Sequence, residues 1–362
     1  MTWALLHAIL GRASRFGMMG RRLAPQPSTP TQTIMREAFF KPPAADAATD
    51  LRIDDPSLVV LSSGDTTLVV APHVGGSIAA YYETVRERAS QRVLHWLRPA
   101  THAAIAGCDP LRMASFPLFP YCNRIRDGRF EFDGRTIDLV SDDDAFGHAL
   151  HGHAWKRPWR VGARTAASVE LQFEHVPDPA VRGDWPFRYR ASQRIELLGD
   201  ALRITLAARN VSSGPMPFGM GHHPYYPRTA NTTITANVEQ MWHTNEDVLP
   251  TRLGPHPAVD ALKHGMSADA FDLDNNFSGW SREATVAWRD ERRQLTLTAD
   301  APFDHLVVFA PANEAQLCVE PVTNTTDCFN AQDMQMRERA GYRVLRPGET
   351  ISAQLVWTPR RD

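Results

Sequence analysis

Short β-patterned runs separated by turn residues constrain this chain more than any other feature. From Leu51 onward, apolar and β-branched residues recur in short runs, with Gly, Pro, Asn and Asp between them. Such runs predict many short strands. No stretch with helical periodicity exceeds about two turns after residue 100. Because strands do not alternate with helices, a parallel α/β sheet is disfavoured, and an all-β antiparallel sandwich or barrel is predicted.

Turn chemistry indicates where two of the hairpins lie. The first is predicted around Ser62–Asp65, between the apolar runs Leu58–Leu61 and Thr67–Ala71. The second is predicted within residues 129–140, with Asp133-Gly134 at its tip, because Asp-Gly favours a tight hairpin turn. Further strands are predicted at Val169–His175, Tyr189–Leu198, Leu202–Asn210, Thr232–Glu239, Ala284–Trp288, Gln294–Thr298, Leu306–Ala310, Leu317–Glu320 and Ile351–Pro359.

The N-terminal residues differ in composition from the rest. Residues 1–36 carry arginines and no acidic residue, and the arginines follow the apolar run instead of preceding it, unlike a secretory signal. A transit peptide is compatible with this composition. We expect residues 1–50 to be a disordered extension and linker, or translation to begin at Met35. Residues 51–362 are predicted to form a single β-sandwich domain.

Charge and cysteine usage exclude several classes of protein. The net charge of −2 provides no field that would attract nucleic acid or an anionic membrane, and no apolar run has the length of a membrane span. The four cysteines form no C-x-x-C pair, which favours a reducing compartment. We therefore predict a cytoplasmic monomer or homodimer that binds neither nucleic acid nor membrane.

Histidines cluster in the sequence, but their spacing disfavours a metal site. His151 and His153 could share one face of a strand, whereas His148 would point elsewhere. The adjacent His222 and His223 point to opposite faces if the chain is extended. No H-E-x-x-H motif, G-x-S-x-G elbow or glycine-rich phosphate loop is present. We predict no metal and no cofactor.

General acid–base chemistry on a sugar is the remaining interpretation. His223 and Glu320 are candidates for the two groups, since imidazole titrates near neutral pH and a desolvated carboxylate can act as a base. Aromatic residues in the same turn-rich segments offer faces for a pyranose to stack on. They are Trp155, Tyr225, Tyr226, Trp242, Phe277 and Trp280. Taken singly, each is equally compatible with a place in the core.

Five sequence fragments in order carry a specific resemblance. They are N-R-I-x-x-G-x-F from Asn123, L-H-G from Leu150, H-P-Y-Y from His223, L-D-x-x-F-x-G-W from Leu273, and E-P-x-T-N with D-x-F-N from Glu320. The chain resembles the aldose 1-epimerase (galactose mutarotase) family and the related sugar-phosphate epimerases over about residues 57–359. The resemblance implies a large antiparallel β-supersandwich that holds the sugar on a concave sheet.

The resemblance also implies roles for His223, Glu320, Arg124, His151 and Asp274. His223 is the expected general acid and Glu320 the expected general base, with His222 as the rival acid. The expected sugar-binding residues are Asn123, Arg124, His151, Tyr225 and Asp274. Tyr226 stands where the family commonly has Phe, and the E-P-x-T-N form is similar to a less characterised branch, which leaves the preferred sugar open.

The predicted function is interconversion of the α and β anomers of an aldohexose by ring opening and closure, without cofactor. A hexose-6-phosphate 1-epimerase is the alternative within the same chemistry. It would need Arg124, Arg126 or Arg228 to face the phosphate at one end of the cleft. The alternative outside enzymes is a non-catalytic carbohydrate-binding β-sandwich, which needs the aromatic residues but no acid–base pair.

Overall fold

The computed structural model describes residues 51–87, 90–140, 146–312 and 314–362. The predicted extension over residues 1–50 lies outside the described residues. Within the described part, three short α helices occur, α1 (His102–Ala106), α2 (Pro257–Lys263) and α3 (Met334–Arg339). None of the helices there has the length and apolar character needed to cross a membrane.

Strands make up most of the regular structure. In the first half they are β1 (Val59–Ser63), β2 (Thr66–Ala71), β3 (Ser77–Arg86), β4 (Gln91–His95), β5 (Ser115–Leu118), β6 (Arg124–Ile125), β7 (Arg129–Phe132), β8 (Arg135–Asp138), β9 (Ala149–Leu150), β10 (Arg160–Arg164), β11 (Ser168–His175), β12 (Tyr189–Leu198) and β13 (Ala201–Asn210). In the second half they are β14 (Met216–Phe218), β15 (Gly221–Pro227), β16 (Thr232–Ala236), β17 (Gln240–Thr244), β18 (Pro250–Gly254), β19 (Met266–Ser267), β20 (Leu273–Ser278), β21 (Glu283–Trp288), β22 (Arg293–Ala299), β23 (His305–Ala310), β24 (Gln316–Val322), β25 (Arg343–Leu345) and β26 (Thr350–Arg361).

Two large antiparallel sheets are formed by these strands. The first has the order β1-β2-β3-β5-β15-β24-β23-β20-β17-β18, with β4 paired to β3, and the second has the order β10-β11-β12-β13-β26-β22-β21-β16-β19. Small two-stranded ladders, β6-β9, β7-β8 and β14-β25, complete the described sheets. This confirms the predicted class, an all-β antiparallel supersandwich.

Alternating side chains bury the inner face of each sheet. In β13, Leu202, Ile204 and Leu206 are fully buried, while the residues between them are partly exposed. This period of two is what an antiparallel strand with one covered face requires. Across the sandwich, Trp357 of the second sheet donates its indole N–H to the hydroxyl of Tyr226 of the first, at 2.9 Å. The core therefore lies between the two sheets.

Both predicted hairpins are confirmed. Strands β1 and β2 pair with Ser63 opposite Thr66, so Gly64 and Asp65 form the turn. Strands β7 and β8 pair around Asp133-Gly134, where both residues have positive φ, as a tight turn of this kind demands. β8 ends at Asp138, two residues earlier than the sequence pattern indicates.

Candidate active site

Two neighbouring strands bring the predicted acid and base together. Strands β15 and β24 are antiparallel, and Tyr225 lies opposite Cys318 in their register. Two residues along each strand, His223 therefore lies opposite Glu320. Opposed side chains of an antiparallel pair project from the same face, and here His223 Nε2 is 3.3 Å from Glu320 Oε1. Residues far apart in the sequence thus form one cross-strand pair.

The rival histidine lies on the other face of β15. His222 is fully buried inside the sandwich, where its Nδ1 shares a short hydrogen bond with the hydroxyl of Ser115 and its ring contacts Trp357. Successive residues of a strand point to opposite faces. His222 is therefore separated from Glu320, and the geometry favours His223 as the acid.

A row of opposed residues extends this face across the sheet. His223 lies opposite Phe116 of β5, and their rings stack with centroids 4.7 Å apart. On the other side, Glu320 lies opposite Val307 of β23, which lies opposite Asn276 of β20. The row therefore has an apolar end that packs the imidazole and a polar end that carries an amide.

Asn123 and His151 reach the site through the small β6-β9 ladder. The backbone N–H of Asn123 donates to His151 Nδ1 at 3.1 Å, and the backbone N–H of His151 donates to the carbonyl of Asn123 at 2.9 Å. With Nδ1 accepting, the neutral ring carries its proton on Nε2. The His151 ring lies 5.2 Å from that of His223 and almost perpendicular to it. The ladder thus orients a hydrogen-bond donor beside His223.

Arg124 and Asp274 are the more accessible members of the site. Arg124 Nη1 is 3.6 Å from Asp274 Oδ2, and their side chains are 11% and 14% exposed, against 7% for His223 and 3% for Glu320. This gradient in exposure places the Arg124–Asp274 ion pair nearer to solvent than the pair of His223 and Glu320. Both groups form charge-assisted hydrogen bonds readily, which suits them to sugar hydroxyls.

Tyr225 is part of the floor of the site. Its side chain is fully buried, and its ring centroid lies 4.7 Å from that of His223. The guanidinium carbon of Arg98 lies 4.0 Å from the centroid of the Tyr225 ring. These contacts fix the position of the imidazole. Direct contact between Tyr225 and a sugar stays a prediction.

Burial drives both groups of the pair toward their neutral forms. It lowers the pKa of His223 to about 3, with the nearby Arg98 adding to the shift. It raises the pKa of Glu320 well above its ordinary value, with Asp274 adding to the shift and Arg124 opposing it. A neutral imidazole beside a protonated carboxyl holds the same single proton as an imidazolium beside a carboxylate. The pair can therefore exchange one proton internally without changing its net charge.

Similarity to known proteins places the chain in a family. The profile of the aldose 1-epimerase family matches residues 57–358. The chain belongs to the aldose 1-epimerase family. The chain is 27% identical over 274 residues to the uncharacterised Escherichia coli protein YphB, a match that spans 72% of this chain and 87% of YphB.

Solved structures share the fold of this chain. A galactose mutarotase-like protein of Clostridium acetobutylicum superposes with a TM-score of 0.72 at 18% identity, covering 84% of this chain and 95% of that protein. The GalM/aldose epimerase homologue of C. elegans superposes with a TM-score of 0.69 at 15% identity, covering 84% and 98%. At these identities the likeness supports the fold and not a particular substrate.

Two residues of the site were not found by sequence reasoning. Asn276 falls at an unspecified position of the L-D-x-x-F-x-G-W motif and Cys318 falls in none of the motifs, so both reach the face only through the register of four strands. Asn276 donates to the hydroxyl of Thr326 at 2.8 Å, but its buried Oδ1 accepts no hydrogen bond among the described residues. In the described part of the chain, His223, Cys318 and Glu320 form one group whose ligand atoms all lie within 4.8 Å of one another, close enough to hold a metal ion.

The buried imidazole of His222 predicts that the folded protein loses stability in acid. Burial lowers its pKa from 6.5 to about 3, so the unfolded chain binds a proton here at mildly acidic pH that the folded chain does not. Stability from this group is therefore present above about pH 6.5 and is lost as pH falls toward the folded pKa. We expect His222→Asn to reduce the loss of unfolding free energy between about pH 7 and about pH 5 by about 2 kcal/mol.

Urea unfolding at the two pH values measures this difference. The exposed His264 provides the matched control, since His264→Asn removes a histidine from the surface. We expect the control to retain the acid dependence of the unaltered protein. If His222→Asn lost as much unfolding free energy between the two pH values as the unaltered protein does, burial of this imidazole would not govern acid stability.

Proposed function

We propose that this protein interconverts the α and β anomers of an unphosphorylated aldohexose. The observation that carries the proposal is the cross-strand pair of His223 and Glu320 on one face of the sheet. His223 Nε2 lies 3.3 Å from Glu320 Oε1. An acid and a base at that spacing can serve the two oxygens that share an anomeric carbon. Family membership and the surrounding Asn123, Arg124 and Asp274 support the same chemistry.

Ring opening needs one proton removed and one delivered. Glu320, as carboxylate, takes the proton of the anomeric hydroxyl while His223, as imidazolium, protonates the ring oxygen, and the bond between the anomeric carbon and that oxygen breaks. The open aldehyde turns about its C1–C2 bond, and the reverse steps close the other anomer. While the sugar is in its open-chain form, His223 and Glu320 are both neutral, which is the state that their burial favours.

Unpartnered atoms support a polar ligand at this place. Glu320 Oε2, His223 Nδ1 and Asn276 Oδ1 are buried and have no hydrogen-bond partner within the described residues. Buried polar atoms are ordinarily paired, so a cluster of unpaired ones indicates where a ligand or water binds. Sugar hydroxyls can donate to the carboxylate and amide oxygens.

The arginine contacts favour a free sugar over a phosphorylated one. Arg126 pairs with Asp327 at 3.2 Å, and the buried guanidinium of Arg228 donates to the carbonyls of Pro311 and Ala268 and pairs with Asp269. Both cations are thus already compensated, whereas a phosphate dianion needs cations that are available to it. This weakens the hexose-6-phosphate alternative.

Polarimetry on freshly dissolved α-glucose and α-galactose tests the proposal. We expect the protein to speed the approach to anomeric equilibrium in proportion to its concentration, with glucose 6-phosphate acting as a poorer substrate and competitor. Glu320→Gln protein purified in the same way controls for any mutarotase that is carried over from the expression host. Saturable sugar binding without acceleration would instead establish a carbohydrate-binding module, and a preference for glucose 6-phosphate would establish the phosphate epimerase.

We propose that the protein works in the cytoplasm. Cys108, Cys122, Cys318 and Cys328 are all free thiols, which supports a reducing cytoplasm. We propose a monomer or homodimer whose partner is the small-molecule sugar.

A further inference from the structure

A thiol lies beside the acid–base pair and has no part in the proposed sugar chemistry. Cys318 precedes Glu320 by two residues on β24, so both side chains project from the face that His223 occupies. We propose that His223, Cys318 and Glu320 form a binding site for Zn²⁺, and that zinc bound there competes with the sugar. The competition rests on the proposed function, whereas zinc binding itself does not.

The ligand set and its spacing match zinc. Cysteine sulfur, histidine nitrogen and a carboxylate oxygen are the donors that zinc binds in proteins. Two nitrogen or oxygen ligands at about 2.0–2.1 Å from a tetrahedral zinc lie about 3.3 Å from each other. His223 Nε2 and Glu320 Oε1 are 3.3 Å apart. The sulfur of Cys318 completes a group within 4.8 Å, which small side-chain rotations can close around one ion.

The side chains of the cluster can themselves neutralise a divalent cation. A metal ligand must be unprotonated, so zinc would bind the free electron pair of His223 Nε2. Zinc displaces the thiol proton of Cys318 and, when Glu320 is protonated, its carboxyl proton. The displaced protons pass to the buffer. The resulting thiolate and carboxylate neutralise the ion, Asp274 adds a nearby negative charge, and Arg98 and Arg124 oppose it.

A three-ligand site leaves room for a fourth ligand. Zinc with three protein ligands takes water or another small ligand in its open position. The ion would lie between the two groups that exchange protons with the sugar and would occupy the electron pairs that they use. Bound zinc and a productively bound sugar therefore exclude each other.

The absorption spectrum of bound Co²⁺ reports directly on a thiolate ligand. We expect the folded protein, titrated with Co²⁺ at neutral pH, to show a sulfur-to-cobalt charge-transfer band that saturates at one ion per chain and is reversed by Zn²⁺. Cys318→Ser and Cys318→Ala are expected to lose this band and to weaken zinc binding by about tenfold or more. Cys108→Ser is the matched control, because Cys108 is exposed and distant in sequence from the cluster, and is expected to keep both.

The outcomes separate metal binding from the proposed function. Absence of the charge-transfer band in the folded unaltered protein overturns the site, whether or not the substituted proteins fold. An undiminished band in both folded Cys318 variants also overturns it. Zinc binding that glucose and galactose do not weaken overturns the competition. A protein that binds zinc through Cys318 but does not accelerate anomer exchange retains the site and rejects the mutarotase.

Discussion

Replacing Glu320 with Gln is expected to slow enzymatic anomer interconversion by about 10²–10⁴-fold, or about 3–5 kcal/mol in activation free energy. The amide has nearly the shape of the carboxyl group but cannot take a proton from the anomeric hydroxyl. The sugar contacts proposed for Arg124 and Asp274 stay in place, so kcat is expected to fall more than KM changes. Polarimetry on fresh α-anomers, with KM measured alongside, checks both parts.

His223→Asn is expected to lower kcat by a similar factor, because the ring oxygen loses its proton donor. The Glu320→Gln and His223→Asn double variant is expected to be little worse than either single variant, since groups that transfer protons in the same step act as a unit. Additive losses would mean that the two side chains work in separate steps, and the cross-strand pair would then be incidental.

Matched surface variants control for charge and histidine content. Glu246 and His264 are exposed, so Glu246→Gln and His264→Asn make the same chemical changes away from the pair. We expect both to retain the rate of the unaltered protein. If Glu320→Gln matched Glu246→Gln in rate, the assignment of the base would be wrong.

Local turn chemistry explains what the sequence could predict. The β1-β2 and β7-β8 hairpins need only the residues of their own turns and flanking strands, and both were predicted. The strand that carries His223 was not. β15 contains Gly221, Pro224 and Pro227, residues that local propensity places outside strands. Its pairing with β5 and β24 supplies the stability that its own residues do not.

Long-range register explains what was missed at the site. The roles of His223 and Glu320 were inferred from resemblance, and their opposition depends on pairing between distant strands. Asn276 and Cys318 lie on the same face because four strands are in register, which no window of sequence can reveal. His151 was considered as a strand residue, but it has φ of 58°, outside the β region.

Gly152 decides how His151 is held in the site. Its φ is +70°, and a Cβ built there would lie 2.0 Å from the carbonyl oxygen and 2.5 Å from the carbonyl carbon of Phe119. Only a residue without a side chain allows this close approach of two backbone segments. The glycine of L-H-G therefore belongs to the architecture of the site, even though it carries no chemistry.

Gly152→Ala is expected to lower the free energy of unfolding by about 3–5 kcal/mol, because backbone must move in addition to the strain of positive φ. Gly134→Ala is the matched control. Gly134 has nearly the same φ, +71°, in the β7-β8 turn, but its Cβ would meet nothing within 4 Å, so only about 1–2 kcal/mol of backbone strain is expected. Urea unfolding of both variants measures the difference, and anomer exchange shows whether folded Gly152→Ala retains His151 in place. Equal destabilisation would mean that the approach of Phe119 and Gly152 does not hold the loop.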